Sequence, residues 1–372
     1  MKVNLLIFFY IGFLFSNTFS GQLWLGSSTG TDIVNSYKIA YIPKLSLNKN
    51  INNFKQISFE FAYKLEREYS GGNILTDGSR YRYWSRYTDT KLDIRIGLQK
   101  ISFGQSPIFR PLNWFDDIDF TNTTNRTEGI ESIRLKFNPN NLYGFWFWAI
   151  DNNSKNPSIG FRFEISDKSG EWAFSYYLDN ENKNHFLNQF SNLPNFQIDN
   201  GFYLPFEDLV SILSFKENYR LGFDYRYDGL FGAWFESSFY FIKNPELSLN
   251  LFGELKLPPK RIELISFGFD LSIPNGYIPI IFLTETMYSY FLFPNNDFID
   301  YEHRYSTALS FNFDLDIFND LTLISIYDWE DDYSLSFLRW SNTFDYFNLD
   351  FILSHRTNDS SNGFELIFIY DH

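Results

Sequence analysis

Residues 92–99 read LDIRIGLQ, and this octet decides the fold. Leu92, Ile94, Ile96 and Leu98 fall on one side of an extended chain, and Asp93, Arg95, Gly97 and Gln99 on the other. Successive side chains of a strand point to opposite faces, so a period of two is a strand signature. The alternation starts near Ser36 and ends with Phe364, Leu366, Phe368 and Tyr370. It predicts strands at 36–46, 55–67, 80–88, 91–102, 131–138, 142–150, 158–166, 171–179, 218–228, 230–242, 246–256, 261–272, 279–290, 301–316, 320–329, 332–341, 346–355 and 363–372, with a short candidate at 22–27. No long helical pattern competes with them.

Turn formers separate many of these strands closely, as at Thr88-Asp89-Thr90, Asn138 to Asn141, Asp228-Gly229 and Phe318 to Asp320. Longer links run from Glu68 to Ser79, Phe103 to Ile130, Asp151 to Pro157 and Asn180 to Glu217. Short turns on one rim and long loops on the other are the asymmetry of outer-membrane barrels, with the short turns periplasmic. In the sequence this alternation fades after residue 240.

Composition agrees with strands in lipid. Aromatic residues make up 21% of the chain, with 45 Phe and 25 Tyr, yet hydrophobic residues reach only 44%. The mean hydropathy is −0.27. One apolar outer face and one polar inner face produce that combination. Cysteine is absent, and a closed ladder needs no disulfide. The net charge of −14 argues against nucleic acid as a partner.

The chain opens on Lys2, an apolar run from Leu5 to Phe15, and Thr18-x-Ser20. This is the pattern of a secretory signal peptide, 1–20, with cleavage after Ser20. The run is too short to span a bilayer as a helix. The remainder, 21–372, shows no linker or composition shift and reads as one domain. The predicted fold is all-β, a transmembrane antiparallel β-barrel of about 16–18 strands. Its location is the outer membrane.

Two faces follow. Phe59, Phe61 and Tyr63, Ile133 and Leu135, and Leu309 and Phe311 are placed against lipid. Trp24, Trp146, Trp148, Trp172, Trp234, Trp329 and Trp340 are placed in interfacial girdles. The neighbouring positions predict a charged lumen: Arg80, Arg82 and Arg86 on one strand, Asp93 and Arg95 on the next, then Arg134 with Lys136, Arg162 with Glu164, and Arg220, Asp224 and Arg226. The acidic balance favours cations and these arginines favour anions, so the sign of selectivity stays open.

The link after Gly104 holds Pro107 and Pro111, then Asp116, Asp117 and Asp119. A loop of this length beside a polar lumen narrows the bore when it folds inward, and Arg110, Arg126 and the aspartates then select charge. The alternative is a solvated outer loop. The link from Asn180 to Glu217 carries Pro205-Phe206-Glu207-Asp208, the start of a short helix over 205–214.

The stretch from Arg95 to Arg134 also carries a family resemblance. Arg95 followed by Gly97-Leu98-Gln99, then Phe103-Gly104, Arg110-Pro111-Leu112 and Phe115-Asp116, resembles the R-x-G-x-Q … G … PL … FD stretch of bacterial outer-membrane porin-like barrels, the alginate-export and porin-type group. The resemblance covers residues 95–134 and implies a barrel that passes solutes or a polymer. The chain departs from the pattern at its end, where His372 stands in place of a terminal Phe or Trp.

Enzyme chemistry finds little support. The four histidines are His185, His303, His355 and His372. Ser354 and His355 are adjacent and point to opposite faces, which defeats a nucleophile–base pair, and Asp300 with His303 is the one protease-like hint. No spacing of metal ligands or phosphate-binding loop appears, so no cofactor is expected. The expected function is passive diffusion of small polar solutes. The alternative is a plugged barrel that holds surface polysaccharide. Expected partners are outer-membrane lipid, the barrel-assembly machinery through the C-terminal strand, and the solute.

Overall fold

The computed structural model describes residues 16–31, 35–115, 129–151, 156–180, 213–214, 217–243, 246–247, 259–274, 278–293, 300–357 and 360–372. In chain order the strands are β1 (Ser16–Gly30), β2 (Ser36–Asn52), β3 (Lys55–Ser70), β4 (Asn73–Thr88), β5 (Leu92–Gln99), β6 (Ile130–Phe137), β7 (Tyr143–Ile150), β8 (Ser158–Asp167), β9 (Gly170–Asp179) and β10 (Leu213–Ser214). They continue with β11 (Glu217–Asp228), β12 (Gly232–Lys243), β13 (Glu246–Leu247), β14 (Arg261–Ile273), β15 (Ile280–Phe293), β16 (Asp300–Asp314), β17 (Asn319–Asp328), β18 (Tyr333–Thr343), β19 (Phe347–Arg356) and β20 (Ser361–Asp371).

Eighteen of these form one antiparallel meander, in which β9 pairs with β11 and β12 pairs with β14. The last strand returns to the first: Gln22 lies opposite Asp371, and the ladder runs to Gly30 opposite Gly363. That pairing closes the barrel and leaves no sheet edge, as hydrocarbon demands of strands. The closed, all-β architecture agrees with the sequence reading, and two boundaries differ. The short candidate at 22–27 is the middle of a full barrel strand. Of the predicted strand at 246–256 only Glu246–Leu247 are described: they form β13, which pairs with β10, while β12 pairs directly with β14 in the barrel. The predicted helix at 205–214 lies outside the described residues except for Leu213–Ser214, which are strand.

The three longest links leave from one rim, and the other rim carries mostly short turns. Residues 53–54, 89–91, 138–142, 168–169, 315–318 and 344–346 close turns on one rim, while 100–129, 180–216 and 244–260 all leave from the other. Beyond residue 260 the links on the two rims are of similar length, 274–279 against 294–299 and 315–318 against 329–332, so the alternation fades in the second half of the barrel as the sequence reading has it. Side chains cap the short turns: Asp89 Oδ1 accepts the Lys91 and Leu92 amides at 2.9 and 3.0 Å, and Asn140 Oδ1 accepts those of Leu142 and Tyr143. The Lys91 amide, then that of Leu92, holds the Asp89 carboxyl below the usual carboxylate range. The predicted link at 68–79 is instead a tall hairpin, with β3 and β4 joined by Gly71 and Gly72 alone.

Register assigns the faces. Ile94 stands opposite Leu135, Ile96 opposite Ile133 and Phe311 opposite Leu323, all outward. Such cross-strand apolar pairs contribute roughly 0.2–1 kcal/mol each beyond their exposure to lipid. Trp172, Trp329 and Trp340 are outward and exposed, as girdle residues should be. Trp24, Trp146, Trp148 and Trp234 are not: their register sets them inward, where Trp24, Trp148 and Trp234 are buried. The girdle placement of these four tryptophans is corrected here, since part of the barrel interior is itself apolar.

Candidate functional site

Residues 100–115, KISFGQSPIFRPLNWF, leave the top of β5 and run into the barrel. Ile101, Leu112, Trp114 and Phe115 are buried against inward side chains of the wall, among them Trp148 on β7, Tyr177 on β9, Tyr240 on β12 and Phe291 on β15. Contacts to strands from β7, close to its origin, round to β12 and β15 on the far side fix the segment as a chord across the interior. Burial of Ile101, Leu112 and Phe115 stabilises this arrangement by about 1.5–3 kcal/mol for each side chain.

Two wall carboxylates hold the chord by its backbone. Glu236 on β12 accepts the amides of Gln105 at 2.6 Å, Ser106 at 2.8 Å and Leu112 at 2.6 Å. Glu285 on β15 accepts those of Ile108 and Phe109, each at 3.1 Å, and the hydroxyls of Ser106 and Ser266. Both carboxylates are fully buried. Buried anions need such donors, and charge-assisted bonds of this kind are about twice as strong as neutral ones. Gly104 has φ +103°, and a Cβ there would lie 2.7 Å from Glu236 Oε2, so only glycine lets the backbone approach. Trp114 Nε1 donates to Ser238 Oγ at 2.8 Å.

The wall from which the chord starts carries a basic row. Arg86 on β4, Arg95 on β5 and Arg134 on β6 are consecutive cross-strand partners. Asp93 accepts from Arg86 Nε at 2.7 Å and lies 3.6 Å from the Arg134 guanidinium. Among the described residues Arg95 has no carboxylate within salt-bridge distance: it stacks on the Trp84 ring at 4.4 Å, and its Nε is buried without a hydrogen bond there. Arg134 and Lys136 both lie over Trp146, at 5.3 and 4.4 Å. Lys136 reaches Glu164, which also accepts Trp146 Nε1 at 2.9 Å. A cleft of about 560 Å³ opens beside Lys136 and Glu164 at the short-turn rim, lined also by Lys91, Asn138 and Tyr143.

The other predicted positions divide. Arg162 is buried and bonds Asp224 through both terminal nitrogens, at 2.6 and 2.9 Å, and Glu164 at 2.9 Å. Arg220 is buried between Tyr177 and Tyr240 and pairs with Asp179 at 2.6 Å. These two arginines brace the wall under the chord. Arg226 pairs with Asp228 and Asp270. Arg82 stands inward opposite Ala62 and lies over the Tyr81 ring at 4.2 Å. Arg80 is a correction. A bulge opposite Ala62 and Tyr63 shifts β4 by one residue, so Arg80 faces out beside Tyr63 and pairs with Glu131 at 2.8 Å. Arg110 sits on the chord with φ 50° and donates to Ser102 Oγ. Asp116, Asp117, Asp119 and Arg126 lie outside the described residues.

Sequence reasoning missed Glu236 and Glu285, which do most to hold the chord. The available signal was an acid at an inward position with no basic neighbour on its strand: Trp234, Glu236 and Ser238 share one face, as do Glu285 and Met287. Such a carboxylate requires donors from elsewhere in the chain.

No protein family matches the chain, and no curated protein matches it in sequence. Solved structures do. OmpF of Salmonella typhi, in complex with daunomycin, aligns with a TM-score of 0.51 at 8% identity over 98% of this chain and 99% of that one. OccK5 of Pseudomonas aeruginosa gives 0.56 at 8% identity, covering 95% and 97%. OccAB1 of Acinetobacter baumannii gives 0.56 at 9% identity, covering 96% of each. At these identities the likeness is one of fold and does not reach the alginate-export group. The chain has the fold of bacterial outer-membrane porins, a closed transmembrane β-barrel.

Proposed function

We propose that this protein is an outer-membrane channel through which small polar solutes diffuse passively. The observation that carries the reading is the chord 100–115, tied to the far wall by Glu236 and Glu285 while the row Arg86, Arg95 and Arg134 lines the wall it leaves open. A bore narrowed by a fixed loop and faced by charge selects by size and sign. Arg95, which has no ion pair with a carboxylate among the described residues, favours anions. The outward apolar positions supply the lipid-facing belt. Cleavage after Ser20 keeps the pairing of β1 with β20, which begins where the Gly21 amide bonds the His372 carbonyl at 2.9 Å, and removes the part of β1, Ser16 to Ser20, that stands opposite Asn48 to Lys44 of β2. The C-terminal strand, ending on His372 stacked against Tyr41, is the segment offered to the assembly machinery.

The test is single-channel recording of the refolded mature chain in a planar bilayer, with reversal potentials in a KCl gradient. Steady open steps with chloride preference are expected. A chain that inserts and stays electrically silent overturns the diffusion reading and returns the assignment to a plugged barrel that holds polysaccharide.

A further inference from the structure

The hairpin β3–β4 stands taller than the wall beside it. β5 pairs with β4 only as far as Leu98 opposite Tyr83, whereas β4 continues upward against β3 to Asn73. Thr76, the cross-strand partner of Arg67, therefore lies roughly 23 Å further along β4 than Tyr83. The apolar belt of such a barrel is about 25 Å tall. β5 and β6, eight residues each, already cover most of it. The upper part of the hairpin thus reaches the level of the lipid headgroups on the long-loop side.

Arg67 is exposed at the centre of the outward face there. Ile39 of β2 stands opposite it on one side and Thr76 of β4 on the other. Leu65 lies below it on its own strand and Tyr69 above. Tyr69 has Tyr37 beside it, with ring centroids 6.4 Å apart, and Ile74 on its other side. Tyr37, Ile39, Leu65, Tyr69 and Ile74 are each 45% exposed or more, so nothing in the chain covers this apolar frame. The acids next to Arg67 in sequence do not answer its charge. Glu66 and Glu68 alternate onto the inward face, where Glu66 bonds Lys38 at 2.9 Å and Lys64 at 3.2 Å. Arg67 itself has no ion pair or hydrogen bond among the described residues. A second copy of the chain is a poor source of the missing anion. Glu131 and Glu263, outward on the same rim, are already bonded to Arg80 and Arg261.

We infer that the outward face of β2, β3 and β4 seats a phosphorylated glycolipid of the outer leaflet, with Arg67 on a headgroup phosphate. A guanidinium presents a rigid fork of donors that matches a phosphate bidentately. Thr76 adds a hydroxyl on the same face. Tyr37 and Tyr69 are amphipathic rings of the kind that settle at headgroup level. Below them Leu65 and Tyr63 continue the apolar surface along which acyl chains lie. One ligand with an anionic head and a hydrocarbon body answers both the lone cation and its apolar frame. The inference concerns the outside of the barrel and holds whether or not the bore conducts.

Lipid A and its fully dephosphorylated form test this, because they share their acyl chains and differ in the phosphates. The refolded mature chain in dodecyl maltoside is titrated with each, and lipid adducts are counted by native mass spectrometry. The phosphorylated form is expected to bind roughly fivefold more tightly, about what one exposed ion contact supplies. Arg67→Gln is expected to abolish the difference, and Arg67→Lys, which keeps the charge without the fork, to retain part of it. Arg261→Gln, an outward arginine already held by Glu263, is expected to leave it unchanged. Migration of unheated protein as a compact band verifies that each variant is folded. A wild-type chain that binds both forms alike overturns the inference, and this arm needs no variant to fold. A folded Arg67→Gln barrel that keeps the fivefold preference also overturns it. So does loss of the preference in excess inorganic phosphate, which would make the ligand a free ion, or a lipid-free dimer as the main species, which would make it a second copy.

Discussion

Arg95 and Arg226 are both inward arginines, and they differ in what already neutralises them. Arg226 bonds Asp228 at 2.9 Å and Asp270 at 3.0 Å, whereas Arg95 has only an indole face. Replacing Arg95 with Gln is therefore expected to lower the chloride-to-potassium permeability ratio by about two- to fivefold, the effect of a half-exposed ion contact worth on the order of 0.5–1 kcal/mol. Arg226→Gln is expected to leave the ratio within measurement error or to shift it less. Reversal potentials of the two variants side by side check this, and equal shifts would sink the distinction. The inward register of Arg86, Arg95 and Arg134 was legible from period two alone. Arg80 was not, because a bulge reverses faces without leaving any mark in the pattern: tyrosine and arginine still alternate through YRYWSRY.

At the scale of elements, the chord 100–115 is an irregular segment held by packing and by six backbone or hydroxyl bonds to two carboxylates. Removing one carboxylate leaves several buried donors without acceptors, each costing about 1–3 kcal/mol. Glu236→Ala is expected to free the chord from the β12 wall while the barrel ladder stays whole. Single-channel conductance then rises by roughly twofold as the narrowest section widens, and unheated protein still migrates as a compact folded band. An unchanged conductance in a folded Glu236→Ala channel would place the constriction elsewhere. A converse variant fixes the chord: Ser106 Oγ lies 3.3 Å from Ser266 Oγ on β14, and the chain has no cysteine to compete. Ser106→Cys with Ser266→Cys is expected to form a disulfide on oxidation, visible as a mass loss of about 2 Da reversed by reductant, with conductance unchanged. Failure to cross-link would contradict the inward course of the segment. Read from its residues alone, this loop had two courses, inward or solvated. The sequence could not choose between them, because the partners that draw it in, Glu236 and Glu285, lie more than a hundred residues away. The strand reading failed at 246–256 for a related reason: alternation shows that a segment can be a strand, while pairing decides whether a barrel has room for it.

For the whole molecule, the closed meander was readable because the barrel strands repeat the same two-faced pattern and no long helical pattern competes with them. The interior was less readable, since an inward Trp148 and an outward Trp172 look alike until register separates them. The same separation of inside from outside bears on charge. The chain carries 45 acidic and 31 basic residues, yet the row across β4, β5 and β6 is basic and lies at mid-strand. The net acidic field acts on ions approaching from a distance, and salt screens it: the Debye length is about 30 Å at 0.01 M and about 3 Å at 1 M. Contact with Arg95 acts within a few ångströms and is screened much less. Anion preference is therefore expected to grow with ionic strength, the reverse of a channel whose selectivity follows its net charge. Reversal potentials under a fixed KCl ratio, centred first near 0.03 M and then near 1 M, check this. A chloride preference that rises with concentration places selection at the basic row. A preference for potassium that holds at 1 M would mean that acids at the narrowest section, not the arginines of β4 to β6, face the passing ion.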